Sequence, residues 1–244
     1  MPPRRQAAPA SLLLPFAESP PADPLPAPPP LPKRELELGL DEAGRGPILG
    51  PMVLACVAIH TEAAGELAGL GVTDSKRFGA GPAAHRARLR LSERIYELAD
   101  HVGVAVIDPR EIDSRPGQLN HIEREHAARL IAAAPPCSRI VADGARLFAP
   151  LAERYPQLSA QDRAESAHVC VAAASIIAKS RRDTLWLGIC ERYQAEFGEF
   201  LDGHAGGGYP NQATRRFLRA YFSRYRRLPP EARKTWPTEF LADL

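Results

Sequence analysis

Leu36, Leu38 and Leu40 alternate with Glu37, Gly39 and Asp41, and the run ends on two adjacent acids, Asp41 and Glu42. Directly behind them the chain is broken by Gly44, Gly46, Pro47, Gly50 and Pro51. A period of two with one apolar face is the mark of a β-strand. The next segment, "PMVLACVAI" from Pro51 to Ile59, is apolar throughout and reads as a second, more deeply buried strand. A chain that opens with two strands joined by so loose a connection must build a sheet. The remaining segments decide its kind. "AAHRARLRLSERIYELAD" has a helical pattern, "VGVAVID" is a third strand, "LNHIEREHAARLIAAA" a helix, and "SRIVADG" a short strand ending on Asp143. "AHVCVAAASIIAKSRRDTLWLGICERYQAEF" is a long, alanine-rich, proline-free helix, and "NQATRRFLRAYFSRY" is the last one. Strands first, then strands alternating with helices, predict an α/β domain: a mixed sheet covered by helices, with a helical segment at the C-terminal end.

The domain is expected over residues 35–244. Residues 1–34, with "PPADPLPAPPPLPKR", are rich in Pro and Ala and carry little that could build a core, so an extended or disordered tail is expected. The chain's 244 residues suit one large domain with such a tail. Lys and Arg together number 31 against 29 Asp and Glu, so overall charge excludes little. Its distribution says more. Between Thr214 and Lys234 stand Arg215, Arg216, Arg219, Arg224, Arg226, Arg227, Arg233 and Lys234 against the single acid Glu231. Such a stretch suits a polyanion, or else forms a solvated helix face. Cys56, Cys137, Cys170 and Cys190 show no CxxC spacing and read as reduced thiols of a cytoplasmic protein, not as a disulfide or zinc framework. No apolar run is long enough to span a bilayer, and prolines interrupt "SLLLPF" too early for a signal peptide.

"DEAGRGP" is not a helix start, since glycines and a proline come after the acids. "GRGPILG" lacks the spacing of a dinucleotide fingerprint, and neither a P-loop nor a GxSxG elbow is present. Asp143 closes an apolar strand beside Gly144, a place for a turn residue or a site residue. Asp183 shares a helical stripe with Ala172, Ile176, Ser180 and Leu187, a stripe expected to face the sheet. A carboxylate there needs a partner, and Arg181 and Arg182 point elsewhere around the helix. If Asp41, Glu42, Asp143 and Asp183 converge, their repulsion is large: two unit charges about 4 Å apart cost roughly 4 kcal/mol at an effective dielectric near 20. Such a cluster holds protons or binds hard divalent cations, Mg²⁺ or Mn²⁺.

"LGLDEAGRGPILGPMVLA", "GVTDSKRF", "VADG", "AAASIIAKSRRD" and "GGGYPNQATRRFLRAY…LPPEARKTW" resemble, in sequence and in order, the type 2 ribonucleases H, ribonuclease HII. The resemblance runs from about Leu36 to Trp236. Arg45 between the two glycines favours this family over the related ribonuclease HIII. The resemblance implies a ribonuclease H-like fold with a five-stranded mixed sheet, and Asp41, Glu42, Asp143 and Asp183 as the catalytic, metal-binding set. It implies that Gly44, Arg45 and Gly46 approach a ribose 2′-hydroxyl through their backbone, that Lys76 helps hold phosphate, and that Tyr209 packs on the sugar at the cleavage junction. The implied substrates are RNA–DNA hybrids and duplex DNA with embedded ribonucleotides, cut by a two-metal in-line attack that leaves 5′-phosphate and 3′-hydroxyl ends. A monomer is expected, without membrane attachment. Three places depart from the family pattern: Arg163-Ala164-Glu165 for the usual Lys-Ala-Asp, Ala172 in a serine place, and extra glycines before Tyr209. Ser11 to Phe16 in the tail loosely resembles the short peptides that dock on sliding clamps.

Overall fold

The computed structural model describes residues 35–73, 79, 81–198 and 207–236. Lys76, the Pro/Ala-rich stretch and its clamp-like peptide lie outside the described residues.

Five strands form one mixed sheet: β1 (Leu36–Ala43), β2 (Met52–His60), β3 (His101–Ile107), β4 (Arg139–Asp143) and β5 (Leu158–Gln161), in the order β3-β2-β1-β4-β5. β2 is antiparallel to both β1 and β3, and β4 is parallel to β1 and β5. The helices are α1 (Thr61–Gly69), α2 (Pro82–Leu98), α3 (Pro109–Ser114), α4 (Leu119–Ala133), α5 (Ala145–Phe148), α6 (Val169–Phe197) and α7 (Gln212–Tyr225). The expected α/β architecture is the one found. Three helices, α1, α3 and the four-residue α5, were not among those expected from the sequence. The first carries two glycines. The second has only six residues, started by the Asp108 side chain, which accepts from the Arg110 amide, and by Pro109 in the first turn.

The alternation in β1 divides the core in two. Leu36, Leu38 and Leu40 join Leu54, Cys56, Ile140 and Ala142 beneath Ala127, Ala128 and Ile131 of α4. On the other face Val53, Ala55, Val57 and Val141 pack against Cys170, Val171, Ala173, Ala174 and Ile177 of α6. α6 lies almost on the backbone of β1. A Cβ at Gly39 would stand 2.1 Å from the Cys170 carbonyl carbon, so only glycine admits the helix at this depth. Alanines on α6 keep the rest of the contact equally close. The stripe expected to face the sheet does so at Ala172, Ile176 and Ser180, all buried. Farther along, α6 leaves the sheet. Trp186, Ile189, Tyr193 and Phe197 there pack with Ile48 and Leu49 behind β1 and with Phe217, Leu218 and Tyr221 of α7. The four cysteines are free.

Two glycines give a test of this packing. Gly39→Ala should lower stability by about 1–3 kcal/mol or more, the cost of overpacking against rigid backbone. Gly65→Ala in α1, where an added Cβ meets nothing within 4 Å, should be neutral or stabilise by up to about 1 kcal/mol. Thermal melts of the two variants read the contrast. Equal effects would show that the α6–β1 approach is not tight.

Candidate active site

Parallel pairing puts two acids side by side. Leu38 of β1 stands opposite Ile140 of β4, and Leu40 opposite Ala142, so the next step along both strands brings Asp41 beside Asp143. Asp41 points to the α6 face, where Ser175 hydrogen-bonds its carboxylate and Lys179 supplies a nearby positive charge. Lys179 Nζ in turn donates to Ser175 Oγ at 3.0 Å. Asp41 is only 5% exposed. Its Oδ1 accepts from the Glu42 amide at 2.8 Å. Asp143 Oδ1 accepts from the Ala164 amide at 2.9 Å, so this strand-end acid also fixes the turn that carries Arg163 to Glu165. Glu42 faces Glu123 of α4. Asp183 takes a hydrogen bond from Arg88 Nη2 at 2.7 Å and lies 3.4 Å from His85 Nδ1, both on α2.

These four acids, with Glu165, Lys179 and Arg182, line one cleft of about 390 Å³. Gly44, Arg45, Gly46 and Tyr209 line it too. Gly44 has φ +83°, and a Cβ on it would meet Arg182 Nε at 2.7 Å. The Tyr209 ring lies against Gly46, 3.0 Å from where a Cβ would be, and is 52% exposed. It is therefore a cleft wall and not a core side chain. The cleft thus gathers every expected site residue that falls within the described residues.

Burial and crowding raise the acids' proton affinity. Burial first, then Glu42, push Asp41 from 3.8 up to about 8; Ser175 and Lys179 pull it down, and Asp143 pushes it up again. Glu42 is also raised, by burial and by Glu123, with its contacts to Asp41 and Arg45 opposing. Among the described residues no three His, Cys, Asp or Glu side chains stand as a ready-made ion cage, and Asp183 is engaged by Arg88. The donor chemistry nevertheless suits a hard divalent ion: the oxygens are carboxylates, and the crowding that raises Asp41 is what such a charge relieves.

Five residues around the site were not assigned these roles from the sequence. Arg45 extends to Glu123, which is fully buried, and to Asn120, both on α4. Arg88 and His85 hold Asp183, where the sequence offered only its neighbours Arg181 and Arg182 as candidates. Arg182 is buried, donating to the Leu49 and Gly207 carbonyls at 3.1 and 2.9 Å. Arg233 corrects an expectation. Counted among cations suited to a polyanion, it is instead 0% exposed, because its guanidinium donates to the carbonyls of Gly44, Arg45 and Gly50. Its local sequence does not mark it: Pro230, Lys234 and Thr235 beside it are exposed.

A five-stranded sheet in this order, with acids at the ends of adjoining parallel strands and on the long helix laid across them, defines a ribonuclease H-like protein. The family model described as Ribonuclease HII matches residues 38–239. A curated ribonuclease HII of Thermococcus sibiricus is 35% identical over 210 residues, spanning 82% of this chain and 88% of the relative. Among solved structures, the PCNA:RNase HII complex from Archaeoglobus fulgidus superposes with TM-score 0.67 at 31% identity, covering 84% of this chain and 96% of that one. Bst-RNase HIII in complex with Mn²⁺ gives TM-score 0.52 at 25% identity, over 79% of this chain and 71% of that one. The chain belongs to the ribonuclease HII family. It is a metal-dependent endonuclease of the ribonuclease H type.

The raised Asp41 predicts a pH signature without any substrate. Its folded-state affinity for a proton exceeds that of the unfolded chain, so its contribution to stability is full below about 3.8 and is lost as pH rises through about 8. In chelator, Asp41→Asn should therefore raise the melting temperature at pH 8 and raise it by much less at pH 5. Added Mg²⁺ should stabilise the wild type at pH 8 more than the variant. A melting difference that stays flat between pH 5 and 9 would refute the assignment.

Proposed function

We propose that this ribonuclease H cuts the RNA strand of RNA–DNA hybrids and also cuts at single ribonucleotides within duplex DNA, leaving 5′-phosphate and 3′-hydroxyl ends. The observation that carries the reading is one cleft holding the four carboxylates, the side-chain-poor turn Gly44–Arg45–Gly46 and the exposed ring of Tyr209. Asp41, Glu42, Asp143 and Asp183 would hold two divalent cations, Mg²⁺ or Mn²⁺. Such ions supply a nucleophilic water at neutral pH and offset charge on the attacked phosphate and the leaving 3′ oxygen. The relative solved with Mn²⁺ supports a metal of this class.

The protein's own groups do the selecting. Gly44 and Gly46 place no side chain between backbone and sugar, and a 2′-hydroxyl both donates and accepts hydrogen bonds. Tyr209 offers a flat apolar surface to the deoxyribose on the far side of the scissile phosphate. α7 buries Ala213, Phe217, Leu218 and Tyr221 and exposes Arg215, Arg216 and Arg219, a face that suits the phosphate backbone whatever the sequence. A non-catalytic hybrid-binding module would have no need of all four carboxylates. The likeness to an RNase HII solved with PCNA supports a sliding-clamp partner. Clamp binding through Ser11 to Phe16 is tested by pull-down of the full chain against one starting at Lys33, where equal capture removes that peptide from consideration.

The direct assay is cleavage of a duplex carrying one ribonucleotide, with and without Mg²⁺; an all-DNA duplex should be bound and left intact. Asp143→Asn should keep the fold and lose about a hundredfold or more in turnover at every Mg²⁺ concentration, the scale of several kcal/mol of charge stabilisation. Near wild-type turnover would sink its role as a ligand. Tyr209→Ala should lose cleavage at a lone ribonucleotide more than in a continuous hybrid, and a proportional loss on both substrates would remove Tyr209 from junction reading.

A further inference from the structure

The turn behind Asp41 and Glu42 is shaped from the other end of the chain. Arg233 Nη2 donates to the Gly44 carbonyl at 2.6 Å, Nη1 to the Arg45 carbonyl at 2.8 Å, and Nε to the Gly50 carbonyl at 3.1 Å. The guanidinium is fully buried and lies over the Trp236 ring, 5.3 Å from its centre. Its segment is pinned in place. The Arg233 amide donates to the Ile48 carbonyl at 2.9 Å and the Gly50 amide to the Glu231 carbonyl at 2.8 Å. The Lys234 and Thr235 amides both donate to Asp113 of α3 at 3.0 Å.

Peptide planarity turns these bonds into a statement about the opposite side of the turn. No described peptide bond is cis. In a trans peptide the carbonyl and the following N–H point in opposite directions. With the Gly44 and Arg45 carbonyls aimed at Arg233, the amides of Arg45 and Gly46 are aimed away from it. Arg45 and Gly46 line the cleft with the acids and Tyr209, whereas Arg233 lies in the interior behind them. The three carbonyls are met by three different nitrogens of one rigid planar fork; the donors of an ammonium radiate from a single nitrogen and would not hold the carbonyls in the same places. Burial and the nearby Arg182 lower the Arg233 pKa only to about 9, which leaves it charged at neutral pH.

We infer that Arg233 is the positioning residue for sugar discrimination: by fixing the Gly44 and Arg45 carbonyls it aims the Arg45 and Gly46 amides at the 2′-oxygen of the substrate, without touching the substrate. This rests on the ribonucleotide-reading role proposed above. It makes the C-terminal segment part of the specificity apparatus and separates that role from phosphate affinity.

The test compares two duplexes identical except for one 2′-hydroxyl. Binding is read by fluorescence anisotropy in chelator, and cleavage separately with Mg²⁺. The wild type should prefer the ribonucleotide duplex. In Arg233→Lys that preference should fall about tenfold, or to unity if it starts smaller, the scale of one or two well-aligned hydrogen bonds. The Kd for the all-DNA duplex should stay within about twofold, since phosphate contacts carry that affinity. A purely structural role would weaken binding to both duplexes in proportion, and that result, or an unchanged preference, overturns the inference. If Arg233→Lys gives no cooperative melt, Asp113→Ala replaces it. This variant frees the Lys234 and Thr235 amides and leaves Arg233 in the chain. It should lower the preference by a smaller factor at unchanged all-DNA affinity, and an unchanged preference overturns the inference equally. A wild type that neither prefers nor cuts the ribonucleotide duplex defeats the ribonucleotide-reading role itself, and the inference with it. A wild type that discriminates beside variants that discriminate equally well defeats Arg233 alone.

Discussion

A helix laid on a strand with no side chain between them sets the geometry of this protein. Because α6 meets β1 at Gly39, its next turns bring Ser175 and Lys179 onto Asp41. Asp183 comes next on the same helix, at the rim of the same cleft. The parallel β1–β4 pairing adds Asp143 in register. Residues from two strands and a helix thus meet because backbone meets backbone, and backbone is the least adjustable part of a fold. A larger side chain at position 39 would act on the site from a distance, by lifting the whole helix.

Convergence of this kind carries an electrostatic cost, met by several cations of different standing. Lys179 lies near the buried acids and lowers Asp41's affinity for a proton. Arg88 engages Asp183 directly. Arg45 neutralises Glu123 behind Glu42. Arg182 and Arg233, by contrast, bond backbone carbonyls, and what they stabilise is the shape of a turn. Net charge across the whole chain conceals this division, since the same residue type works as counter-ion to a carboxylate and as clamp on backbone carbonyls around one cleft.

The range of each interaction decides whether the sequence discloses it. The alternation of Leu36, Leu38 and Leu40 and the apolar run of β2 are local patterns, and both emerge as strands. The long α6, legible from its alanines and its lack of proline, is where it was expected. β5, only four residues long, is too short for a period to show. Asp41, Glu42, Asp143 and Asp183 were visible as acids at strand ends and on one helical stripe. Their partners were not, because the Arg88–Asp183 bond joins residues 95 apart in the chain and the Arg45–Glu123 bond residues 78 apart. No periodicity reports contacts of that range. Arg233 was misread for the same reason. In a stretch full of arginines, burial distinguishes one from the rest, and burial is a property of the assembled fold.

The 189-position separation of Arg233 from Gly44 also orders events in time. Synthesis runs from the N-terminus, and domains assemble as chain becomes available. When the ribosome has delivered the whole of α6, all four acids exist and the sheet can close around them. The guanidinium that shapes the turn beside them is still to come. On the roles proposed above, the groups that would hold metal are therefore all present before the group that would position the sugar-reading turn.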